Sequence, residues 1–173
     1  MSLPPRKRRW FVALLGLSAC AHGAGGQAER ATPLMTVVTS KPSYRVGELV
    51  VLTVALANGS SAPLWINGRL LLAPARALVG EIWLDVRDDK GSVPFQGILD
   101  AGPAPASAYQ VLQPDGVVAK NIVLRPFYEL DHPGNFTIVA HYSDANPQRP
   151  PAPPGTRPAG EATAAPVTIS IGR

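Results

Sequence analysis

The chain reads as an all-β sandwich from Leu34 onward, and three features carry that reading. Short apolar runs alternate with polar residues at a two-residue period, as strands with one buried face require. Clusters of Gly, Pro, Asn and Asp break the runs before any of them reaches the length of an ordinary helix. No segment sustains the apolar stripe of a helix, although Ala73 to Val79 has room for one helical turn.

The elements follow in order. Leu34 to Ser40 is a first strand, and Glu48 to Ala57 is a second in which Val50, Leu52, Val54 and Leu56 share one face. Asn58-Gly59-Ser60-Ser61 makes a turn, since Asn and Ser hydrogen-bond their own backbone and Gly tolerates any φ. Pro63 to Ile66 and a loosely patterned Arg69 to Leu72 come next. Glu81 to Arg87 is clearer, with Ile82, Leu84 and Val86 on one side. Asp88-Asp89-Lys90-Gly91 is a hairpin turn with Gly91 at the position that favours positive φ, and Val93 to Gln96 returns from it. Beyond a Gly/Pro/Ala loop at 101–107 lie Tyr109 to Leu112 and Val117 to Leu124, joined by Gln113-Pro114-Asp115-Gly116. Phe136, Ile138, Ala140 and Tyr142 alternate along the next strand, and Pro166 to Ile171 forms the last.

Ahead of this region stands a different kind of sequence. Arg6, Lys7, Arg8 and Arg9 precede an apolar run from Trp10 to Ala19, which is the layout of a secretory signal over residues 1–19. The run falls short of the roughly 20 residues a bilayer span needs. Leu17-Ser18-Ala19-Cys20 resembles a bacterial lipobox. That resemblance implies a diacylglyceryl group on the Cys20 thiol, cleavage just before it, and a mature chain held to the membrane by lipid. The rivals are a plain signal cut after Ala21 and an incidental thiol, but Cys20 is the sole cysteine and a secreted chain seldom leaves one unused. Arg8-Arg9-Trp10-Phe11 is partly similar to a twin-arginine export signal, so the export route stays open. Residues 20–33, rich in Gly and Ala and without apolar periodicity, read as a flexible tether.

Charge belongs to the signal. Of 16 basic residues four lie at positions 6–9, which leaves 12 against 12 acidic residues from Cys20 onward. A neutral mature chain offers no basic patch for nucleic acid. With one cysteine there is no internal disulfide, and about 140 residues suffice to hold a fold by its core alone.

Several turn and strand motifs recur in a recognisable order. Lys41-Pro42-Ser43-Tyr44-Arg45-Val46-Gly47-Glu48 leads into Val50-Val51-Leu52; the Asn58 turn, Leu112-Gln113-Pro114-Asp115-Gly116 and Leu130-Asp131-His132-Pro133-Gly134-Asn135-Phe136 follow. Over residues 34–145 they resemble the immunoglobulin-like domains found beside deuterolysin-type metallopeptidases, and less closely the bacterial proteinase-inhibitor family with an immunoglobulin-like sandwich. The resemblance implies a single Ig-like antiparallel β-sandwich of about seven to nine strands across 34–173. Phe136 stands where those domains usually carry tyrosine, so a hydroxyl-based tyrosine corner cannot form there.

Catalytic signatures are missing. A zinc peptidase needs two histidines one helical turn apart with a glutamate between them, and His22, His132 and His141 do not have that spacing. There is no Gly-Xaa-Ser-Xaa-Gly elbow and no glycine-rich phosphate loop after a strand. Asp131, His132, His141 and Asp144 bracket one strand but sit too far apart along it for a metal site. Trp65, Trp83, Tyr109, Phe127 and Tyr128 read as core aromatics before a ligand platform. The sequons at Asn58 and Asn135 read as turn residues.

The proline-rich stretch at 146–165 is the least ordinary part. It reads as a mobile loop in polyproline II conformation, and deletion of residues 147–160 is expected to leave thermal stability nearly unchanged. The alternative is a docking segment, with Pro147, Arg149, Pro150, Pro151, Pro153 and Pro154 meeting a partner. The sequence thus predicts a non-enzymatic binding or scaffold module, without metal or cofactor. It is expected to be tethered by lipid on Cys20 in the bacterial envelope, with the outer membrane favoured, and to work with an envelope protein rather than nucleic acid. The family resemblance adds one alternative, a protease inhibitor or protease-accessory domain.

Overall fold

The computed structural model describes residues 30–76, 80–98 and 102–173. Cys20, the signal at 1–19, tether residues 20–29, the end of the Ala73 to Val79 turn and residue 101 of the loop at 101–107 lie outside the described residues.

The fold is all-β. Among the described residues eight strands have four residues or more: β1 (Leu34–Thr39), β3 (Val51–Ala57), β4 (Leu64–Asn67), β5 (Ile82–Asp88), β7 (Tyr109–Leu112), β8 (Val117–Val123), β9 (Gly134–Tyr142) and β12 (Val167–Gly172). Four shorter ones complete the set: β2 (Ser43–Arg45), β6 (Gly91–Ser92), β10 (Arg157–Pro158) and β11 (Ala162–Thr163). Ala106–Ala108 is a single 3-10 turn.

One sheet has the order β1-β3-β8 and is antiparallel throughout. The second has the order β2-β12-β9-β5-β6, with β11 also on β9 and β2 parallel to β12. A third short ladder, β10-β4-β7, flanks them. Alternation explains the layering: Val50, Leu52, Val54 and Leu56 all point inward and are at most 1% exposed. They meet Ile82, Leu84 and Val86 of β5, Phe136, Ile138, Ala140 and Tyr142 of β9, and Ile169 and Ile171 of β12 in one contiguous core.

Local turn chemistry closes the hairpins. Asp88 Oδ1 accepts from the amides of Lys90 and Gly91, and Gly91 takes φ 131°. The lysine amide, ahead of the His132 contact, holds the Asp88 carboxyl below its usual range. The turn at 113–116 joins β7 to β8, as its residues predict. It does not close a hairpin, because β7 pairs with β4 while β8 pairs with β3. Asp115, at φ 61°, donates its amide to Asn58 O, and Asn58 donates to Gly116 O, so the two Asx-containing turns interlock across the sandwich edge.

Two expectations need correction. Val93 to Gln96 is not a strand: the Gly91–Ser92 ladder on β5 ends with the Val93 amide donating to Val86 O, and Phe95 then bridges Tyr128. The segment 146–165 is not a free loop. Arg157–Pro158 runs parallel to Leu64–Trp65, Ala162–Thr163 adds to β9, and Ala159, Ala162 and Ala164 are buried. Small alanines between prolines let this backbone lie close against the sheets, so the ladder satisfies its polar groups instead of water.

Candidate functional site

Most of the sequence candidates are built into the scaffold. His132 pairs with Asp88 at 3.1 Å and meets Phe136 edge-on. His141 lies flat on Trp83, ring centroids 4.9 Å apart, and reaches Asp85 Oδ2 at 3.1 Å and Thr163 Oγ1 at 3.0 Å. Each histidine therefore has its own carboxylate, and no group of three or more His, Cys, Asp or Glu converges among the described residues. Tyr128 donates from its buried hydroxyl to Leu84 O at 3.1 Å, and burial pushes its pKa up to about 12. Trp65 stacks on Tyr109 at 5.7 Å, and Phe127 on Phe95 at 5.6 Å.

A polar cluster lies where β4, β5 and β9 meet the proline-rich segment. Glu81, 2% exposed, accepts from Asn67 Nδ2, from the Arg69 guanidinium and from the Leu71 amide. Arg69 donates its remaining nitrogen to Gly102 O. Next to it Tyr109 donates to Asp144 and accepts from Asn146, which also reaches Ala104 O. Desolvation raises the Tyr109 phenol to about 12 and raises that of Tyr142 as well. The Tyr142 hydroxyl is buried without a hydrogen-bond partner among the described residues. The cluster ties three elements together, and satisfied buried networks of this kind specify a packing arrangement. Glu81 was legible only as the first residue of a strand.

The proposed docking residues divide. Arg149 pairs with Asp144 at 3.6 Å, and Pro150 accepts from the Trp65 indole at 3.2 Å. Pro153 is half-buried, whereas Pro147, Pro151 and Pro154 are exposed.

The feature best suited to binding lies elsewhere. Leu70, Leu71 and Leu72, Ile98, residues 120–123, Pro126 and Phe127 line an open groove of about 350 Å³. Ile98 is 90% exposed at its rim and Val123 is 37% exposed. Leu70, at φ 47°, is fully buried in the core, while Leu71 beside it stays part-exposed on the groove wall. Among the described residues Lys120 is the one cation on the wall, and its ammonium is directed to Arg69 O at 3.1 Å. The groove offers shape and apolar surface rather than acid-base chemistry. Its walls come from three separate stretches of chain, which is why no sequence motif marks it.

No protein-family model matches the chain, and no curated protein matches it in sequence.

Proposed function

We propose that the protein is a lipid-anchored module of the bacterial envelope that binds another envelope component and acts as a non-enzymatic scaffold. The observation that carries the binding half is the apolar groove with Ile98 standing 90% exposed at its rim. Contiguous exposed apolar surface of this kind marks interaction sites. The anchoring half rests on the lipobox-like residues 17–20, with residues 20–30 as the tether that lifts the sandwich from the surface. Ala31 and Pro33, expected in the tether, are instead docked on the sandwich, Ala31 against Ala159. Among the described residues no helix is long and apolar enough to cross a membrane. Two or three acyl chains would hold a neutral chain that a single myristoyl chain holds only marginally.

The test has two parts. Cys20→Ser is expected to release the protein from membranes, and a variant still wholly membrane-bound after a high-salt wash would remove the anchor. A photo-crosslinking residue at position 98 is expected to trap one discrete adduct in the native envelope, with none from position 168 on the opposite sheet. Equal adducts from both positions, or none, would count against the groove.

A further inference from the structure

We propose that the groove receives an extended polypeptide segment, which adds to the β8 edge as a new strand and places an apolar side chain against Leu71, Ile98 and Phe127. This rests on the binding reading above and names its partner.

The backbone of β8 supplies the argument. Asn58 N donates to Gly116 O, and Leu124 N donates to Val50 O. In an antiparallel ladder alternate residues exchange both bonds with the same partner strand. The even-numbered residues from 116 to 124 are therefore committed to β3, and Val117, Ala119, Asn121 and Val123 direct N–H and C=O away from it. β8 ends its sheet, and no described residue hydrogen-bonds those groups. Such an edge is a template for another strand.

The groove runs along that edge. Successive residues of a strand point to opposite faces, yet Lys120, Asn121, Ile122 and Val123 all line it. A cavity touched by four consecutive strand residues lies beside the strand, not over one face. Its far wall, Leu71, is fixed to β5 through Glu81 and Ile82, whose amides donate to Leu71 O. The space is therefore a slot between the β8 edge of one sheet and a segment fastened to the other. Only an extended backbone matches a row of donors and acceptors at strand spacing, and a neighbouring pocket then reads its side chains.

A second copy of this chain fits worse. The centre of β8 is Lys120. Twofold pairing of β8 with itself in full register sets Lys120 beside its symmetry mate, and like charges across a strand pair are unfavourable. An apolar, uncharged segment of another protein has no such conflict.

The experiment uses the full chain in detergent, panned against a phage-displayed library of short linear peptides. The best binder is then measured on the wild type, on Ile98→Asp and on Ala119→Pro. Proline at 119 removes an edge-facing N–H while leaving the β3 ladder bonded. Binding is expected to weaken at least tenfold in both variants, with amide exchange at Val117, Ala119, Asn121 and Val123 slowed at least tenfold by the peptide. Should Ala119→Pro fold poorly, the exchange measurement on the wild type decides alone. Loss in Ile98→Asp without amide protection or an effect of proline would overturn strand addition and leave the groove as a binding site. No selectable peptide, or one indifferent to both substitutions, would overturn the groove itself.

Discussion

Glu81 holds Arg69 in a nearly buried ion pair, Arg69 Nη2 to Glu81 Oε1 at 2.7 Å, with the carboxylate side chain 3% exposed. The same carboxylate receives Asn67 and the Leu71 amide, so one side chain secures both the end of β4 and the far wall of the groove. Removing one member of a buried pair strands the other, at a cost of about 3–5 kcal/mol. Glu81→Ala is accordingly expected to lower stability by about that amount in chemical denaturation. Because the 70–72 wall would loosen, it should also weaken groove binding in the folded fraction. A loss below about 1 kcal/mol would place the pair among exposed ones.

Asn58 makes a comparable prediction at the other end of the sheet. Its Nδ2 donates to Ala62 O and Leu112 O, both at 2.9 Å, while Oδ1 accepts from the Ser60 amide at 3.0 Å. The residue is fully buried. Asn58→Ala leaves these groups unpaired and is expected to cost about 2–3 kcal/mol. Asn58→Asp separates the roles, since it keeps the acceptor for Ser60 and lacks the donor for Leu112. Destabilisation close to that of alanine would identify the two Nδ2 bonds, to Ala62 O and Leu112 O, as the important ones.

The proline-rich segment is expected to behave as part of the sandwich. Trp65 donates to Pro150 O, Arg157 N donates to Pro63 O, and Ala159 N donates to Trp65 O. Deleting residues 147–160 therefore removes the β10 ladder and uncovers Trp65, and the thermal midpoint should fall clearly. Trp65→Phe should cost about 1 kcal/mol through the single lost bond. Pro151→Ala and Pro154→Ala, at exposed positions, should change little. An unchanged midpoint for the deletion would return the segment to a detachable loop.

What was readable in the sequence was what is local. Val50, Leu52, Val54 and Leu56 show their shared face through period alone, and Asp88 to Gly91 shows its turn through residue type. The partner of a strand is not local. Arg157 and Pro158 carry no strand pattern of their own and pair only because Leu64 and Trp65 lie beside them in the fold. Likewise nothing in Gln113 to Gly116 shows that the strands on either side pair with different partners, β7 with β4 and β8 with β3. The groove belongs to the same class, because Leu71, Ile98 and Phe127 meet only after both sheets form.

Alkaline unfolding provides the last prediction. Burial raises Tyr109 and Tyr128 from 10.0 to about 12, and Tyr142 is raised as well. In the unfolded chain these phenols ionise near the ordinary value, so above it the unfolded state loses protons that the folded state keeps. Stability then falls as pH rises, with the contribution intact below pH 10 and lost as pH passes through about 12. Tyrosinate absorbance from these three phenols should therefore rise late. They should titrate together with loss of the far-ultraviolet β signal. Tyr128→Phe is expected to remove part of the pH dependence while also losing the bond to Leu84 O. Independent titration of Tyr109, Tyr128 and Tyr142 near pH 10, with the β signal unchanged, would mean that these phenols are not held in the interior.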